Sequence, residues 1–195
     1  MPRAGLSRDA VVEHALGILD AEGVEGLTLT AVARRAGVAV PSLYKHVDGL
    51  PELRRLLALR IYEQTTARVG AAVMGRSGED ALAAFVDEYR AATRDHPHRM
   101  SLIERVPDDS PEAQKAAAAL VEVAYAVVRG FGLVGDDQVH AVRVLRAAVT
   151  GFATLESASA YQLPTSIDDS FAFLIRLLTA GLRDAAAAAA GAGSG

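Results

Sequence analysis

Glycine and proline cut this chain into short pieces that each carry a helical pattern, and that punctuation constrains its fold more than any other feature. Gly23, Gly37, Pro41, Gly49 and Pro51 divide the first sixty residues, and Pro97, Pro111, Gly130 and Gly132 divide the rest. Between these breaks alanine is abundant, β-branched runs are scarce and only 5% of residues are aromatic, so helix is favoured nearly everywhere. An all-α chain follows. Its 195 residues, 51% of them hydrophobic, suffice for a sizeable core.

The first helix is expected to open after Ser7, an N-cap with Asp9 in the first turn, and to bury Val12, Ala15, Leu16 and Leu19 before Gly23 ends it. Thr28 caps a second, short helix over Leu29–Ala36, which turns Val32 and Ala33 inward and Arg34 and Arg35 outward. Gly37 stops it, and Pro41 opens a very short third helix through Ser42-Leu43-Tyr44-Lys45-His46. Asp48-Gly49 makes a turn, and Pro51 starts a longer helix running past Arg60. Two short helices joined by the tight turn Gly37-Val38-Ala39-Val40 have the geometry of a helix-turn-helix, in which the second helix enters the major groove of DNA.

Composition removes several classes of function. Without cysteine there is no disulfide, thiolate nucleophile, zinc-thiolate site or iron-sulfur cluster. The longest stretches free of charge, Ser157–Ile167 and Ala185–Gly195, are too short to span a bilayer, and the N-terminus lacks the apolar segment of a signal peptide. A cytoplasmic protein without a membrane partner is expected. His96, His98 and Glu104, with Asp95 beside them, could suggest a metal site. One residue separates the two imidazoles across a proline, however, and a helix boundary explains the cluster better. No nucleophile elbow, phosphate loop or dinucleotide fingerprint occurs, so neither an enzyme nor a cofactor is expected.

The net charge of −4 would argue against a nucleic-acid partner were it evenly spread. Residues 1 to 60 hold eight basic and seven acidic side chains, whereas the remainder holds twelve and seventeen. The acidic excess therefore belongs to the later part, and any DNA binding must rest on placed groups. On the short third helix those are Val40, Pro41, Ser42, Lys45 and His46: the first two suit thymine methyls, Lys45 a guanine edge or a phosphate, and His46 a phosphate. Tyr44 can either pack or reach a phosphate with its hydroxyl. Thr28 and Thr30 offer hydroxyls and free helix N–H groups to a phosphate. Leu43 and Val47 are read as core.

The run from Ser7 to Leu53 closely resembles the N-terminal DNA-binding domain of the TetR family of transcriptional regulators. Gly23 and Gly26-Leu27-Thr28 match the link between the first two helices, Val32-Ala33 and Ala36-Gly37-Val38 the second helix and turn, and Ser42-Leu43-Tyr44 with His46-Val47 the recognition helix. Val144–Leu182, with Gly151-Phe152, Leu155-Glu156, Leu163-Pro164 and Asp169-Ser170-Phe171, is similar to the C-terminal domain of a TetR subgroup with a Trp-His-Gly signature; Val149-Thr150-Gly151 stands here instead. The family usually has Lys at the position of Leu50, so either Arg3, Arg8, Arg34, Arg35 or the N–H groups near Pro51 compensate, or operator affinity is modest.

The resemblance implies a helix-turn-helix domain of three helices over residues 1–50 and a helical ligand-binding and dimerisation domain over 51–184. A flexible Ala/Gly tail is expected over 185–195. Apolar helical faces recur at Leu82, Phe85, Val86, Tyr89 and Ala92, at Leu120, Val123, Ala124, Val127 and Val128, and in two further helices near Asp137 and over Asp168–Arg183. In the family the last two helices pair two subunits, which assigns Val142, Leu145, Val149, Phe171, Leu174 and Leu178 to a homodimer interface.

A pocket for a small-molecule effector would draw on Phe85, Tyr89, Met100, Ile103, Tyr125, Phe152, Glu156 and Tyr161, each of which ordinary core packing also explains. Glu156 would need a partner, either a structural arginine, for instance across the dimer, or a cationic ligand, and the structural partner is favoured. The expected function is that of a dimeric regulator of double-stranded DNA, a repressor released from a palindromic operator by a small apolar or amphipathic molecule. The alternative is a helical adaptor that kept the fold and lost specific DNA binding.

Overall fold

The computed structural model describes residues 6–105 and 110–192. Regular structure among them is entirely helical, in the order α1 (Arg8–Gly26), α2 (Leu29–Ala36), α3 (Val40–Leu43), α4 (Leu50–Val73), α5 (Gly78–Asp95), α6 (Pro97–Arg105), α7 (Pro111–Arg129), α8 (Gly135–Ser157) and α9 (Ile167–Ala192). No helix among the described residues is long and apolar enough to cross a membrane. Contacts divide the chain into two compact units. Unit 1 comprises the chain up to Glu63 together with His96–Ala116; unit 2 comprises Gln64–Asp95 and the chain from Ala117 onward.

The local chemistry of unit 1 follows its sequence closely. Ser7 caps α1 by accepting from the N–H of Ala10, and Thr28 caps α2 by accepting from Ala31. Gly37 takes the left-handed conformation, with φ 68°, which a side chain would strain. At Gly23 the backbone leaves helical geometry, with φ 71° and ψ −171°, so the first helix is interrupted there as expected, and a short further turn runs on to Gly26. The core of unit 1 joins Val12, Leu16 and Leu19 of α1, Val32 of α2, Leu43 and Val47 around α3, and Leu53, Leu57 and Ile61 of α4. Because α4 supplies three of these side chains, the unit runs on to Glu63, beyond the expected boundary at residue 50. It also takes in α6, whose Leu102 is fully buried in the same core.

Unit 2 packs α5 against both α8 and α9, and α8 against α9. Leu82, Phe85 and Val86 of α5 are buried, as are Val142, Leu145, Val149 and Ala153 of α8 and Phe171 of α9. Two expectations are corrected here. Val142, Leu145, Val149 and Phe171 are covered by their own chain, so they are core and offer no surface to a second subunit; Leu174 and Leu178 are half-buried. Helical periodicity reveals that a face is apolar without revealing what covers it. The second correction concerns the tail, where α9 continues through Ala185–Ala190 to Ala192, in keeping with the high helix propensity of alanine.

Candidate nucleic-acid interface and the polar centre of unit 2

Unit 1 presents α3 as a short ridge on a fixed base. Leu43 is fully buried and Val47 nearly so, and these two side chains fasten the element from below. The coil is sustained past Leu43 by hydrogen bonds from the N–H groups of His46 and Val47 to its carbonyl, at 2.8 and 3.0 Å. Pro41 and Lys45 are exposed, and Tyr44 is 56% exposed, which resolves its two readings in favour of an outward side chain. Ser42 and His46 are half-buried at the margin of the ridge. Val40 is also half-buried and packs on the core, which limits what it can offer outward. Thr28 and Thr30 lie exposed at the start of α2, where the first N–H groups of a helix have no partner within it.

The cations expected to compensate for Leu50 are differently occupied. Arg3 lies outside the described residues. Arg8 donates from Nε to the carbonyl of His46 at 3.0 Å and approaches Glu52 at 3.4 Å. Arg35 lies over α1 at Gly17, where its guanidinium fills the space a Cβ would need. Arg34 is exposed on α2.

The residues around His96 are engaged in unit 1. His96 and Arg99 both face Asp20 of α1, Arg99 with two hydrogen bonds of 2.8 and 2.6 Å and His96 at 3.3 Å. His98 stands against Gly23, and nothing is described of the side chain of Glu104. Burial pushes the Asp20 carboxyl up, but the hydrogen bond and charge of Arg99, with a contribution from His96, outweigh this and hold it below its ordinary value.

Unit 2 has a polar centre that the sequence reading missed. Arg90 of α5, only 9% exposed, donates to both carboxylate oxygens of Glu156 at 2.7 and 2.6 Å and to Asp168 at 2.7 Å. Its guanidinium stacks over Phe171 at 4.3 Å and lies 5.7 Å from the ring of Phe152. The hydrogen bonds that Arg90 donates to Glu156 outweigh desolvation and raise the Arg90 pKa further, keeping it charged. Glu156 thus has the structural arginine it required, supplied by its own chain. The available signal was register: Arg90 falls four residues after Val86 on the buried face of α5.

The candidate effector residues separate into groups. Phe152, Glu156 and Tyr161 gather around Arg90, with the rings of Phe152 and Tyr161 5.1 Å apart. Burial, and then the nearby Glu156 carboxylate, raise the Tyr161 pKa against the opposing effect of Arg90. Phe85 and Tyr89 stack in the core at 6.2 Å, and the Tyr89 hydroxyl is 3.0 Å from that of Thr150. Tyr125 is half-buried on α7. Met100 and Ile103 belong to unit 1, where Ile103 packs on the core. Tyr161 also lines an open groove of about 470 Å³ with Leu163, Ile167 and Ser170. A second groove, of about 310 Å³, lies between the outer faces of α8 and α9 and is lined by Val144, Leu177, Leu178 and Gly181.

A capped helix, a left-handed glycine and a short exposed helix on a buried leucine define a helix-turn-helix protein, here joined to a second helical unit. Comparison with known proteins agrees. Residues 82–178 match the family described as tetracyclin repressor-like, C-terminal domain. The HTH-type transcriptional regulator Rv0681 of Mycobacterium tuberculosis is 34% identical over 181 residues, covering 92% of this chain and 83% of the relative. The chain belongs to the TetR family and is a DNA-binding transcriptional regulator. Its fold is shared with a protein of unknown function from Rhodococcus sp. RHA1, at TM-score 0.81 and 22% identity over 94% of this chain and 99% of that one. It is also shared with a TetR variant from Acinetobacter baumannii AYE, in complex with minocycline, at TM-score 0.70 and 22% identity over 92% and 98%.

Proposed function

We propose that the protein is a homodimeric repressor that leaves a near-palindromic operator when a small apolar or amphipathic molecule binds unit 2. The observation that carries this reading is the ridge of Pro41, Tyr44 and Lys45, held outward while Leu43 is buried beneath it. Lys45 and Ser42 face base edges in the major groove, and Tyr44, His46, Thr28 and Thr30 hold the flanking phosphates. Pro41 meets a thymine methyl, and Val40 supports the ridge. Pairing uses the outer faces of α8 and α9, where Val144, Phe173 and Leu177 are exposed, and sets two recognition helices about 34 Å apart. The family description as repressor-like and the minocycline complex of a structural relative support the sign of regulation and the class of effector. An operator located on the chromosome implies a cytoplasmic protein.

The effector acts by preferring a conformer whose paired helices are wrongly spaced for successive major grooves. Tyr161 and the groove it lines are its proposed contacts, with the ring of Phe152 packed behind Tyr161; Phe85 and Tyr89 are buried in the core and do not line that groove. Duplexes selected by the wild-type chain from a random pool, followed by fluorescence anisotropy over a range of salt, test the reading. Specific, salt-sensitive binding is expected, and Lys45→Ala with His46→Ala should abolish the preference for the selected duplex. Absence of any selected duplex, or binding unchanged by the double substitution, contradicts it.

A further inference from the structure

A cation at the start of α1, beside the recognition element, would ordinarily be read as a phosphate ligand. The contacts of Arg8 give it another task. Its Nε donates to the carbonyl of His46 at 3.0 Å, and its Nη2 lies 3.4 Å from Glu52. The His46 carbonyl stands at the end of the recognition turn, where helical carbonyls lose their partners within the helix. Glu52, whose side chain is only 17% exposed, uses its other oxygen to accept from the N–H of Asp48, the residue that begins the turn into α4. One guanidinium and one carboxylate thus join three elements: the first turn of α1, the end of the recognition turn and the first turn of α4. The same two helices are joined again two turns further along α4, where Arg60 reaches Asp9 at 3.0 Å and Glu13 at 2.5 Å.

We infer that Arg8 and Glu52 are positioning residues that set the angle of the recognition ridge against DNA, and that Arg8 is not one of its phosphate contacts. The inference rests on the DNA-binding reading above. It makes predictions of opposite sign from a phosphate role. A phosphate ligand restrained by Glu52 would be freed by Glu52→Gln, and binding would tighten. A strut would be broken by the same change, and binding would weaken. Arg8→Lys separates the roles further, since an ammonium preserves the charge but lacks the planar fork that serves a carbonyl and a carboxylate together.

The test is anisotropy with a duplex selected by the wild-type chain and an unselected duplex of equal length, each titrated over salt, alongside thermal unfolding. Arg8→Ala, Arg8→Lys and Glu52→Gln are each expected to weaken binding to the selected duplex by about tenfold, the scale of one lost charge-assisted hydrogen bond. Affinity for the unselected duplex and the slope of log Kd against log salt should stay at wild-type values. The inference is overturned if Arg8→Lys retains wild-type affinity, if Glu52→Gln tightens binding, or if Arg8→Ala lowers the slope by about 0.9, the mark of one lost phosphate contact. Equal losses on both duplexes, the result of a merely unstable fold, also overturn it. Failure of the wild-type chain to select any duplex is visible before a variant is made, and it refutes the DNA reading itself.

Discussion

The two units place their polar chemistry in opposite locations. In unit 1 the buried core is apolar and the charged contacts lie at its margin, partly or largely exposed, as with Arg8, Asp20 and Arg60. In unit 2 the interior itself is polar in places: Thr65, Arg90 and Thr93 are buried, and all three belong to it. An apolar core with surface clamps gives a scaffold that carries an outward ridge without moving it. A core holding an ion triad depends on matched partners, and it changes when any of them is displaced.

The largest effect that would break this comparison is expected at Glu156. Glu156→Ala leaves Arg90 buried with only Asp168 to pair, and should destabilise unit 2 by about 3 kcal/mol, measured by urea unfolding. Replacing the pair by apolar groups, Arg90→Met with Glu156→Leu, should recover most of that loss. If the single change costs no more than an ordinary surface substitution, the triad is not a centre of unit 2.

A smaller effect is expected in unit 1. The folded-state pKa of Asp20 is held below its ordinary 3.8, so its contribution to stability is complete above that value and is lost as pH falls through the lower one. Acid unfolding of the wild-type chain should therefore steepen below about pH 4, and Arg99→Ala should flatten that limb while changing stability at pH 7 by less than about 1 kcal/mol. An unchanged acid limb in Arg99→Ala would show that the Asp20 contacts carry no such linkage.

The same contrast governs what could be read from sequence. In unit 1 each cap and break is a chemical statement about one residue: Ser7 and Thr28 can accept from a helix N–H, and Gly37 can take a positive φ, so α2 followed residue by residue, whereas α3, expected through His46, closes as a helix at Leu43 and continues as a turn. Family resemblance supplied the rest of that unit's function. Gly23 likewise interrupts the first helix where it was expected to end. In unit 2 the signal was periodicity, which identified Val142, Leu145 and Val149 as an apolar seam; they were assigned to a second subunit, but periodicity does not tell what covers a seam, and here the chain itself does. Arg90 went unnoticed because a lone arginine on an apolar face acquires meaning only when Glu156 and Asp168, far along the chain, are brought beside it.

In the function proposed above labour is divided: unit 1 reads DNA, and the outer face of α8 and α9 in unit 2 pairs two copies so that both ridges reach one operator. Leu177 is 55% exposed on that face and lies in the other unit from the recognition ridge, so a charge there should leave the ridge intact. The most direct measurement is the affinity of Leu177→Glu for the duplex that the wild-type chain selects. The account predicts a folded variant that has lost binding to the full operator. Wild-type affinity in that variant would contradict it.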